Sequence, residues 1–591
     1  MILQNILFPN NDICCDSQLY FKGNTEIKCD DEIIKFNDGD VLKTDTYFNG
    51  FSYGKWNLYT NVHDLRLTLL MSGKFEVRLF FAKLKNSRAE YNIVKYIDFD
   101  SNEKKELNID IPVADDAIMV FFHLTSISSG CFFGGYYSCE NEFNNSFRLA
   151  INLCTYRREE YIKRTVNSIY KNIISDKSVD YYNNIDIYIV DNGTTLNRND
   201  FPENHILFFT QKDYGASGGF TRGLIEMLHS HIAYDYVLFI DDDVILDPEV
   251  VKRTYVFMSL LKEQYKDSIL GGSFLKITEP YRQVESGGIW NNSSPIAPNK
   301  NMNMRATDNL LKNEIINPSV NYHPWFYCCM PFNKVSENNL PMPMFMKRDD
   351  IEYCLRFGGN FIQLNGICVW HEGYEFKYNS ALLYYVVRST PMVNAIHGIE
   401  YSKEQYKKYI KGIFLNAAFS YNYNLAEIIL KGVRDFLGGV DKMKQIKEPE
   451  NFESLLANNN KKLPIIEIKK PFDEKLYAKT LLTPPHAFTR WRKLTLNGAL
   501  LPPKFNFVYA PESGQKHYFF YRTKKIYNAD LYQHRAFITK KNIFKTISAF
   551  VKLENTFKLI DKKYDSATKS FSERYNEISN YKFWKKYLNM E

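Results

Sequence analysis

The spacing of apolar residues divides the chain into three regions, and the first region is rich in predicted strands. Up to about residue 145, apolar and polar positions alternate over short runs such as 65–71 and 75–79, and we expect a turn at Ser72 and Gly73 between these two runs. A period of two is typical of β-strands that bury one face. The pattern predicts an N-terminal β-sandwich or β-barrel domain over residues 1–145.

In the second region, strand-like apolar runs alternate with helix-like runs. The predicted strands are 147–156, 185–193, 205–211 and 236–240, and the predicted helices are 159–173, 218–231 and 248–265. This order is typical of a doubly wound α/β domain, in which ligands bind beyond the carboxyl ends of the strands. We assign residues 146–400 to this domain.

The third region, residues 401–591, is mostly helical in pattern and is interrupted by proline-containing loops at 483–491 and 500–505. Near its end, apolar positions recur with a helical period at Ile543, Phe544, Ile547, Phe550, Val551, Leu553 and Phe557. The opposite face of this predicted helix is rich in lysine. The whole chain is therefore predicted to be a multidomain α/β protein whose C-terminal helical domain carries a basic tail.

Composition and charge narrow the function classes. Of the 591 residues, 45% are hydrophobic and 16% are aromatic, which is enough to form buried hydrophobic cores. The net charge of +7 is uneven, because residues 515–591 hold 17 Lys and Arg against 7 Asp and Glu, a balance of +10 that leaves −3 for the rest. A basic amphipathic helix is typical of contact with anionic lipid, but also of a packed helical bundle or an oligomer interface. Nucleic-acid binding is disfavoured because no recognition fold accompanies the charge.

Cysteine usage and hydropathy indicate the compartment. The ten cysteines are scattered without a CxxC spacing, which argues against a zinc site and against a disulfide framework. The first residues, MILQNILFPNND, lack the features of a signal peptide, and no run approaches the roughly 18 apolar residues of a membrane span. We therefore expect a reduced, cytoplasmic protein, either free or peripheral on the inner face of the cytoplasmic membrane.

Three consecutive aspartates, Asp241, Asp242 and Asp243, follow the apolar run 236–240. Like charges at the end of a buried strand repel one another and resist leaving water, and a divalent cation would offset both costs. Asp241 and Asp243 are two residues apart, so both can face one pocket. Their hard oxygens suit Mg²⁺ or Mn²⁺. The alternative, an acidic cap for the following helix, is already supplied by Asp247.

A second group of polar residues lies in the segment 345–373. Asp349 and Asp350 open a predicted helix that ends near residue 356, where the helix dipole favours them. A carboxylate there could also act as a general base, if it reaches about 2.6–3.2 Å from the proton that it removes. The following strand ends at His371. A lone histidine is more often structural, but one beside two acidic groups is a good candidate for a metal ligand.

Six short motifs occur in a fixed order along the chain. They are CTYRRE (154–159), VDNG (190–193), GASGGFTRG (215–223), FIDDDV (239–244), RDDIEYCLR (348–356) and VWHEG (369–373). This set resembles the inverting GT-A glycosyltransferases and, more narrowly, the bacterial galactofuranosyltransferases, over most of the chain and including LTLNGALLP (494–502). The resemblance implies a GT-A fold for the central domain. It also implies transfer of galactofuranose from UDP-galactofuranose to a lipid-linked cell-surface glycan, with formation of β-galactofuranosyl linkages.

The resemblance further implies roles for individual residues. Asp241, Asp243 and His371 would hold Mn²⁺ or Mg²⁺, and Asp350 would be the general base. The residues that would contact the UDP-sugar donor are Thr155, Arg157, Asp191, Asp213 and Asp242. Those that would contact the acceptor are Asp349, Trp325 and Glu285. Asp213 stands where an asparagine is expected, and residues 300–325 match the family poorly, so the identity of the acceptor is not implied.

Two other interpretations of the function stay open. A transferase of the same fold could use another donor, such as UDP-galactopyranose or a deoxyhexose nucleotide, because the fold and the metal motif are shared across donors. A non-catalytic carbohydrate-binding or assembly protein could also keep the fold, although it would have no use for a base such as Asp350. The expected partners are a UDP-sugar, a glycan acceptor and, through the basic tail, a membrane surface. A homo-oligomer remains open, and no nucleic-acid partner is expected.

Overall fold

The N-terminal region consists of antiparallel strands. The computed structural model describes residues 1–141, 146–373, 381–457, 463–464, 490–511, 520–530 and 535–590. The strands of the first region are β1 (Ile2–Asn5), β2 (Lys22–Gly23), β3 (Ile34–Phe36), β4 (Val41–Lys43), β5 (Arg66–Lys85), β6 (Arg88–Asp110), β7 (Met119–Ser126) and β8 (Gly130–Ser138). They pair in the order β1-β8-β5-β7-β4-β2, with β6 beside β5 and β3 beside β8, and helix α1 (Tyr53–Tyr59) precedes β5. The sandwich or barrel form of this region stays a prediction.

The turn that we expected at Ser72 and Gly73 is wrong. Strand β5 runs through both residues and pairs with β6 along its whole length. The register shifts between Met71 and Gly73, and Gly73 has a φ of 112°, so the glycine lies at a β-bulge inside one continuous strand. The hairpin instead turns at Asn86 and Ser87, which both have positive φ. An interrupted alternation alone does not distinguish a bulge from a turn.

The central region is built on a nine-stranded sheet with helices around it. Its strands are β9 (Leu149–Thr155), β10 (Ile185–Asp191), β11 (Ile206–Thr210), β12 (Tyr236–Asp241), β13 (Ile269–Lys276), β14 (Glu279–Glu285), β17 (Met302–Asn303), β18 (Tyr327–Pro331) and β19 (Phe361–His371). The helices are α2 (Glu159–Ile169), α3 (Gly215–Leu228), α4 (Pro248–Ser259), α5 (Thr307–Glu314) and α6 (Asp349–Phe357), and β15 (Ile289–Asn291) and β16 (Ser294–Ile296) form a separate hairpin. The sheet order is β11-β10-β9-β12-β18-β13-β14-β17, with β19 beside β13. Strands β9 to β12 are parallel, as the alternating pattern predicts, whereas β18 runs antiparallel to β12.

The C-terminal region is helical, as predicted, but it also contains a sheet that we did not expect. The helices are α7 (Ala381–Ile396), α8 (Lys403–Phe419), α9 (Tyr423–Phe436), α10 (Gly439–Gln445), α11 (Glu450–Ala457), α12 (Arg490–Leu494), α13 (Ile543–Arg574) and α14 (Tyr581–Tyr587). Strands β20 (Leu463–Pro464), β21 (Phe505–Pro511), β22 (Thr523–Asp530) and β23 (Arg535–Lys540) pair in the order β20-β23-β22-β21. Most of the predicted loop 483–491 lies outside the described residues. Among the described residues, no helix combines the length and the apolar composition that crossing a membrane requires.

Apolar clusters connect the three regions. The first cluster joins the N-terminal sheet to the central one, and the rings of Trp56 and Phe257 meet at 4.8 Å between centroids. The second cluster joins Trp325 of the central region to Phe571 and Trp584 of the C-terminal helices. The domain boundaries predicted near residues 145 and 400 stay predictions, and the apolar core continues across both of them.

One pair of cysteines contradicts the expected absence of disulfides. Cys15 and Cys29 form a disulfide, with their Cα atoms 5.5 Å apart. The loop that carries Cys29 folds back on the segment after the first strand, where the backbone N–H of Asp30 donates to the carbonyl of Pro9. This return of the chain brings two distant cysteines together and is not visible in their spacing. The other eight cysteines are free.

Candidate active site

The carboxyl ends of three neighbouring parallel strands form one side of the site. The register of β9, β10 and β12 places Thr155 beside Asp191, and Cys154 beside Asp241. All residues of β12 before Asp241 are buried, so this strand leads directly from the core to the first acidic residue. Ligands bind at such strand ends in open α/β sheets. The structure thus brings Thr155, Asp191 and Asp241 to one edge of the sheet, as their positions at strand ends predict.

Asp241, Asp243 and His371 lie together. One possible ligand atom from each residue lies within 4.8 Å of the other two. The Nε2 atom of His371 is 3.3 Å from Oδ1 of Asp243 and 4.0 Å from Oδ2 of Asp241. The Nδ1 atom of His371 is 2.6 Å from the carbonyl oxygen of Glu372. Because a carbonyl only accepts hydrogen bonds, Nδ1 carries a proton, and Nε2 is the nitrogen that could bind a metal ion. Two carboxylates and one imidazole fit a divalent metal ion.

Asp242 is held by groups from β9 and α2. The hydroxyl of Thr155 donates to its Oδ2 at 2.7 Å, and Nη1 of Arg158 lies 3.3 Å from its Oδ1. The same guanidinium pairs with Asp243. Burial raises the pKa of Asp242 to about 6, although the positive charge of Arg158 acts in the opposite direction. Arg158 thus offsets part of the repulsion among the aspartates.

Arg158 is a site residue that the sequence analysis missed in favour of Arg157. Arg157 has a φ of 54°, and its guanidinium lies 5.2 Å from the ring centroid of Tyr156. This left-handed residue turns the chain between β9 and α2, so that the next side chain is the one that points at Asp242 and Asp243. The motif CTYRRE contains both arginines, and its spacing does not show which one faces the acids.

Asp191 and Asp213, two of the residues predicted to contact the donor, hold loops in place. Asp191 is fully buried, and its carboxylate accepts hydrogen bonds of 2.7–2.9 Å from the backbone N–H groups of Gly193, Thr195 and Leu196. Asp213 accepts a 2.9 Å hydrogen bond from the N–H of Gly215 at the start of α3, and burial raises its pKa. Both carboxylates shape the loops at the strand ends. Their contacts with a donor stay predictions, as does that of Arg157.

Asp349 and Asp350 begin α6 and differ in their surroundings. Asp349 is 5% exposed, and its buried Oδ2 makes no hydrogen bond to a described residue. Burial, followed by the charge of Asp350, raises the pKa of Asp349 to about 8. Asp350 is half-buried and accepts a 2.8 Å hydrogen bond from the N–H of Ile351. Burial raises the pKa of Asp350, although the hydrogen bond from Ile351 and the positive charges of Lys347 and Arg348 act in the opposite direction. The negative charge of Asp241 adds a smaller increase.

The backbone that leads into these acids is strained. Phe345, Lys347 and Arg348 all have a φ between 66° and 78°. Such conformations are costly for residues other than glycine and persist where the surrounding structure holds them. Here the N–H of Phe345 donates to Oγ of Ser217 at 2.8 Å, and the N–H of Ser217 donates to the carbonyl of Phe345. Helix α3 therefore holds the segment that carries the acids.

Trp325 and Glu285, the other acceptor candidates, are buried. Trp325 is 4% exposed, and its indole stacks on Phe239 with centroids 4.9 Å apart and an interplanar angle of 11°. Its ring lies in the apolar core, so stacking on a sugar would require it to move. Glu285 is 6% exposed and accepts a hydrogen bond of 3.2 Å from the hydroxyl of Tyr322. The acceptor roles of both residues stay predictions.

Comparison with known proteins identifies the family. A protein-family model described as "Glycosyl transferase family 2" matches residues 151–310. The galactofuranosyltransferase GlfT2 of Mycobacterium tuberculosis is 24% identical over 489 residues, which are 78% of this chain and 72% of that protein. GlfT2 of Mycolicibacterium smegmatis is 23% identical over 442 residues, 70% of this chain and 65% of that protein. These findings support a GlfT2-like glycosyltransferase.

The resemblance that the motifs indicated is thus confirmed, and a GT-A domain is part of the fold. The family 2 match includes Asp241 and Asp243 but ends before Asp350 and His371. The similarity to GlfT2 is longer, at 489 residues, and extends beyond the family 2 domain. A solved structure of GalNAc-T7 with UDP, GalNAc and Mn²⁺ is 12% identical over 44% of this chain and 49% of that chain, with a TM-score of 0.31. That likeness is too slight to bear on the details of the site.

Proposed function

We propose that this GlfT2-like protein transfers galactofuranose from UDP-galactofuranose to a glycan acceptor, with inversion at the anomeric carbon. The observation that carries the proposal is a single site that combines a cluster of metal-ligand atoms with a separate carboxylate. The cluster consists of Asp241, Asp243 and His371, and the separate carboxylate is that of Asp350. The similarity to GlfT2 supports the choice of sugar.

The proposed mechanism needs one base and no protein nucleophile. Asp350 removes the proton from an acceptor hydroxyl, and the acceptor oxygen then attacks the anomeric carbon. The bond from that carbon to the diphosphate breaks on the opposite face, so an α-linked donor gives a β-galactofuranosyl product. Asp241, Asp243 and His371 would hold Mn²⁺ or Mg²⁺, which would supply positive charge for the departing UDP.

The remaining site residues position these groups. Thr155 and Arg158 fix Asp242 and Asp243 through the contacts described above. We assign Thr155, Arg157, Asp191, Asp213 and Asp242 to the donor side of the site. Asp349, Trp325 and Glu285 belong to the acceptor side. Asp349 is the deeper of the two acids in α6, and burial disfavours its charged form, so it suits a hydrogen-bond role better than that of a base.

We also propose that the acceptor is lipid-linked and that the protein works at the inner face of the cytoplasmic membrane. The basic tail supports this, although part of its apolar face packs inward. The buried side chains of α13 include Leu553, Ile560, Tyr564 and Phe571. The exposed apolar ones are Ile543, Phe544, Ile547 and Val551 near its N-terminal end and Leu559 in its middle. An exposed apolar stripe with neighbouring lysines suits an anionic lipid surface. A homo-oligomer interface is the alternative use of this surface.

Binding of UDP tests the metal-dependent site directly. We expect the parent protein to bind UDP more tightly with Mn²⁺ than with EDTA, and Asp243→Ala to lose most of that difference. Isothermal titration calorimetry measures both affinities, and Asp38→Ala, at an exposed aspartate of the N-terminal region, is a control for a general effect of removing an aspartate. Equal affinity with and without Mn²⁺ in the parent would refute the metal site.

A further inference from the structure

Arg348 lies directly before the two acids of α6, and its side chain has no acceptor among the residues that the structure describes. It caps this helix in the left-handed conformation, with a φ of 78°. Its guanidinium lies over the indole of Trp290, 4.9 Å from the ring centroid. Its Nε atom is buried, and the guanidinium makes no hydrogen bond or ion pair with a described residue. A planar group with five N–H donors thus lies against an aromatic ring, and no described residue accepts a hydrogen bond from it.

Such an arrangement is costly unless a ligand completes it. A buried donor without an acceptor destabilises the folded protein, and a charged donor does so more strongly. Burial lowers the pKa of Arg348, but an arginine side chain stays charged at any physiological pH. The indole itself is fixed, because its Nε1 donates to Oδ1 of Asn394 at 2.8 Å. The indole of Trp290 and the guanidinium of Arg348 are thus already in position before any ligand binds.

We propose that Arg348 and Trp290 form a subsite for an anionic group, a carboxylate or a phosphate, on the glycan that receives the sugar. This inference rests on the proposed transferase function and specifies its acceptor class. A guanidinium matches both anions with two parallel hydrogen bonds. The strained backbone at Arg348 is consistent with a residue placed for a ligand.

The position of Arg348 favours the acceptor over the diphosphate of the donor. The cation at the metal-ligand cluster is Arg158, which faces Asp242 and Asp243. The groups with the largest electrostatic effect on Arg348 are Tyr409, Asp350, Tyr322 and Asp349. Asp350 is the proposed base, so a group bound at Arg348 lies next to the hydroxyl that is activated. The two arginines therefore serve different substrates.

The test compares neutral and anionic sugars in the presence of saturating UDP and Mn²⁺, which fill the donor site. The probes are galactose, galacturonate and galactose 6-phosphate, and ligand-observed NMR gives their dissociation constants with the full chain. We expect the parent to bind the two anionic sugars about tenfold more tightly than galactose, as expected for charge-assisted hydrogen bonds. Arg348→Gln should abolish this preference, and Arg348→Lys should keep part of it. UDP affinity should be unchanged in both variants.

Arg158→Gln is the matched control, because it removes an arginine from the other side of the site. It should weaken UDP binding and leave the preference for anionic sugars intact. Equal binding of the three sugars to the parent would overturn the proposal without any variant. A preference that survives in Arg348→Gln would also overturn it. If Arg348→Gln instead weakens UDP binding, the guanidinium serves the donor. Metal-independent UDP binding by the parent would contradict the proposed function itself.

Discussion

Replacing Gly215 by alanine tests whether α3 sets the position of Asp350. Gly215 has a φ of 68°, and a Cβ atom built on it would lie 2.1 Å from the carbonyl oxygen of Phe345. To reach an ordinary contact of 3.4 Å, the two backbones must separate by about 1.3 Å. The left-handed conformation costs alanine roughly 1–2 kcal/mol in addition. The displaced segment is the one that leads into Asp350.

The expected effect on catalysis exceeds the effect on stability. A displacement of about 1 Å at a reacting group can cost on the order of 100-fold in rate. We expect Gly215→Ala to lower kcat by about that factor and the free energy of unfolding by roughly 1–3 kcal/mol. The release of UDP during transfer gives kcat, and urea unfolding gives the stability.

Gly412→Ala is the control for this substitution. Gly412 lies in α8, is exposed, and has no atom within 4 Å of an added Cβ. Alanine there should keep the parental kcat and raise the free energy of unfolding by up to about 1 kcal/mol, because alanine favours a helix over glycine. If Gly215→Ala has the parental kcat and stability, α3 does not hold the segment 345–348, and the argument from its strain is wrong.

Four further variants test the base, the packing of the C-terminal region and the exposed apolar surface of α13. Asp350→Asn should keep metal-dependent UDP binding while transfer falls by at least about 100-fold, and parental turnover would exclude Asp350 as the base. Trp584→Ala, at a fully buried indole, should lower the free energy of unfolding in urea by about 3–5 kcal/mol. Trp491→Ala, at an indole that is 58% exposed, should change it by less than about 0.5 kcal/mol, and similar losses in both would contradict the packing described. Introducing Phe544→Glu and Val551→Glu together should weaken flotation with anionic vesicles without changing the melting temperature. Flotation equal to that of the parent would assign this surface to assembly.

The predictions that succeeded rest on strong local patterns. The parallel strands β9 to β12 follow from their continuous apolar runs, which few other structures can bury. Asp241 and Asp243 share one pocket because side chains alternate along an extended chain. His371 joins them because β19 is parallel to β13 and ends at the same edge of the sheet. Spacing and strand direction were enough to bring these three residues together.

The predictions that failed depend on backbone detail. Gly73 lies at a bulge rather than at a turn, because β5 continues through it and pairs with β6 on both sides of it. The contact of Arg158 with Asp242 and Asp243, which we did not predict, depends on one left-handed residue that redirects the chain, whereas the donor contact of Arg157 stays a prediction. The bond between Cys15 and Cys29 depends on a loop that folds back. The unexpected strands β21 to β23 have weak alternation and are completed by pairing with one another. Each outcome is set by tertiary contacts, which one sequence does not display.

Trp325 is the residue whose observed burial differs most from what its predicted role in sugar stacking would suggest. A tryptophan near a predicted sugar site suggests stacking, and sequence gives no means of telling an exposed ring from one stacked on Phe239. Arg348 is the converse case. It lies inside a recognised motif, but only the structure shows that no residue it describes accepts a hydrogen bond from the guanidinium.

The most direct test of the central claim is UDP release from a panel of UDP-sugars with Mn²⁺ or Mg²⁺. UDP-galactofuranose is kept in equilibrium with its pyranose form by a mutase, and short galactosyl and lipid-linked acceptors are supplied. We predict turnover with the furanose donor, dependence on the metal ion, and loss of turnover in Asp243→Ala. Turnover with another donor alone would contradict the assignment of galactofuranose, and turnover that persists in Asp243→Ala would contradict the metal site.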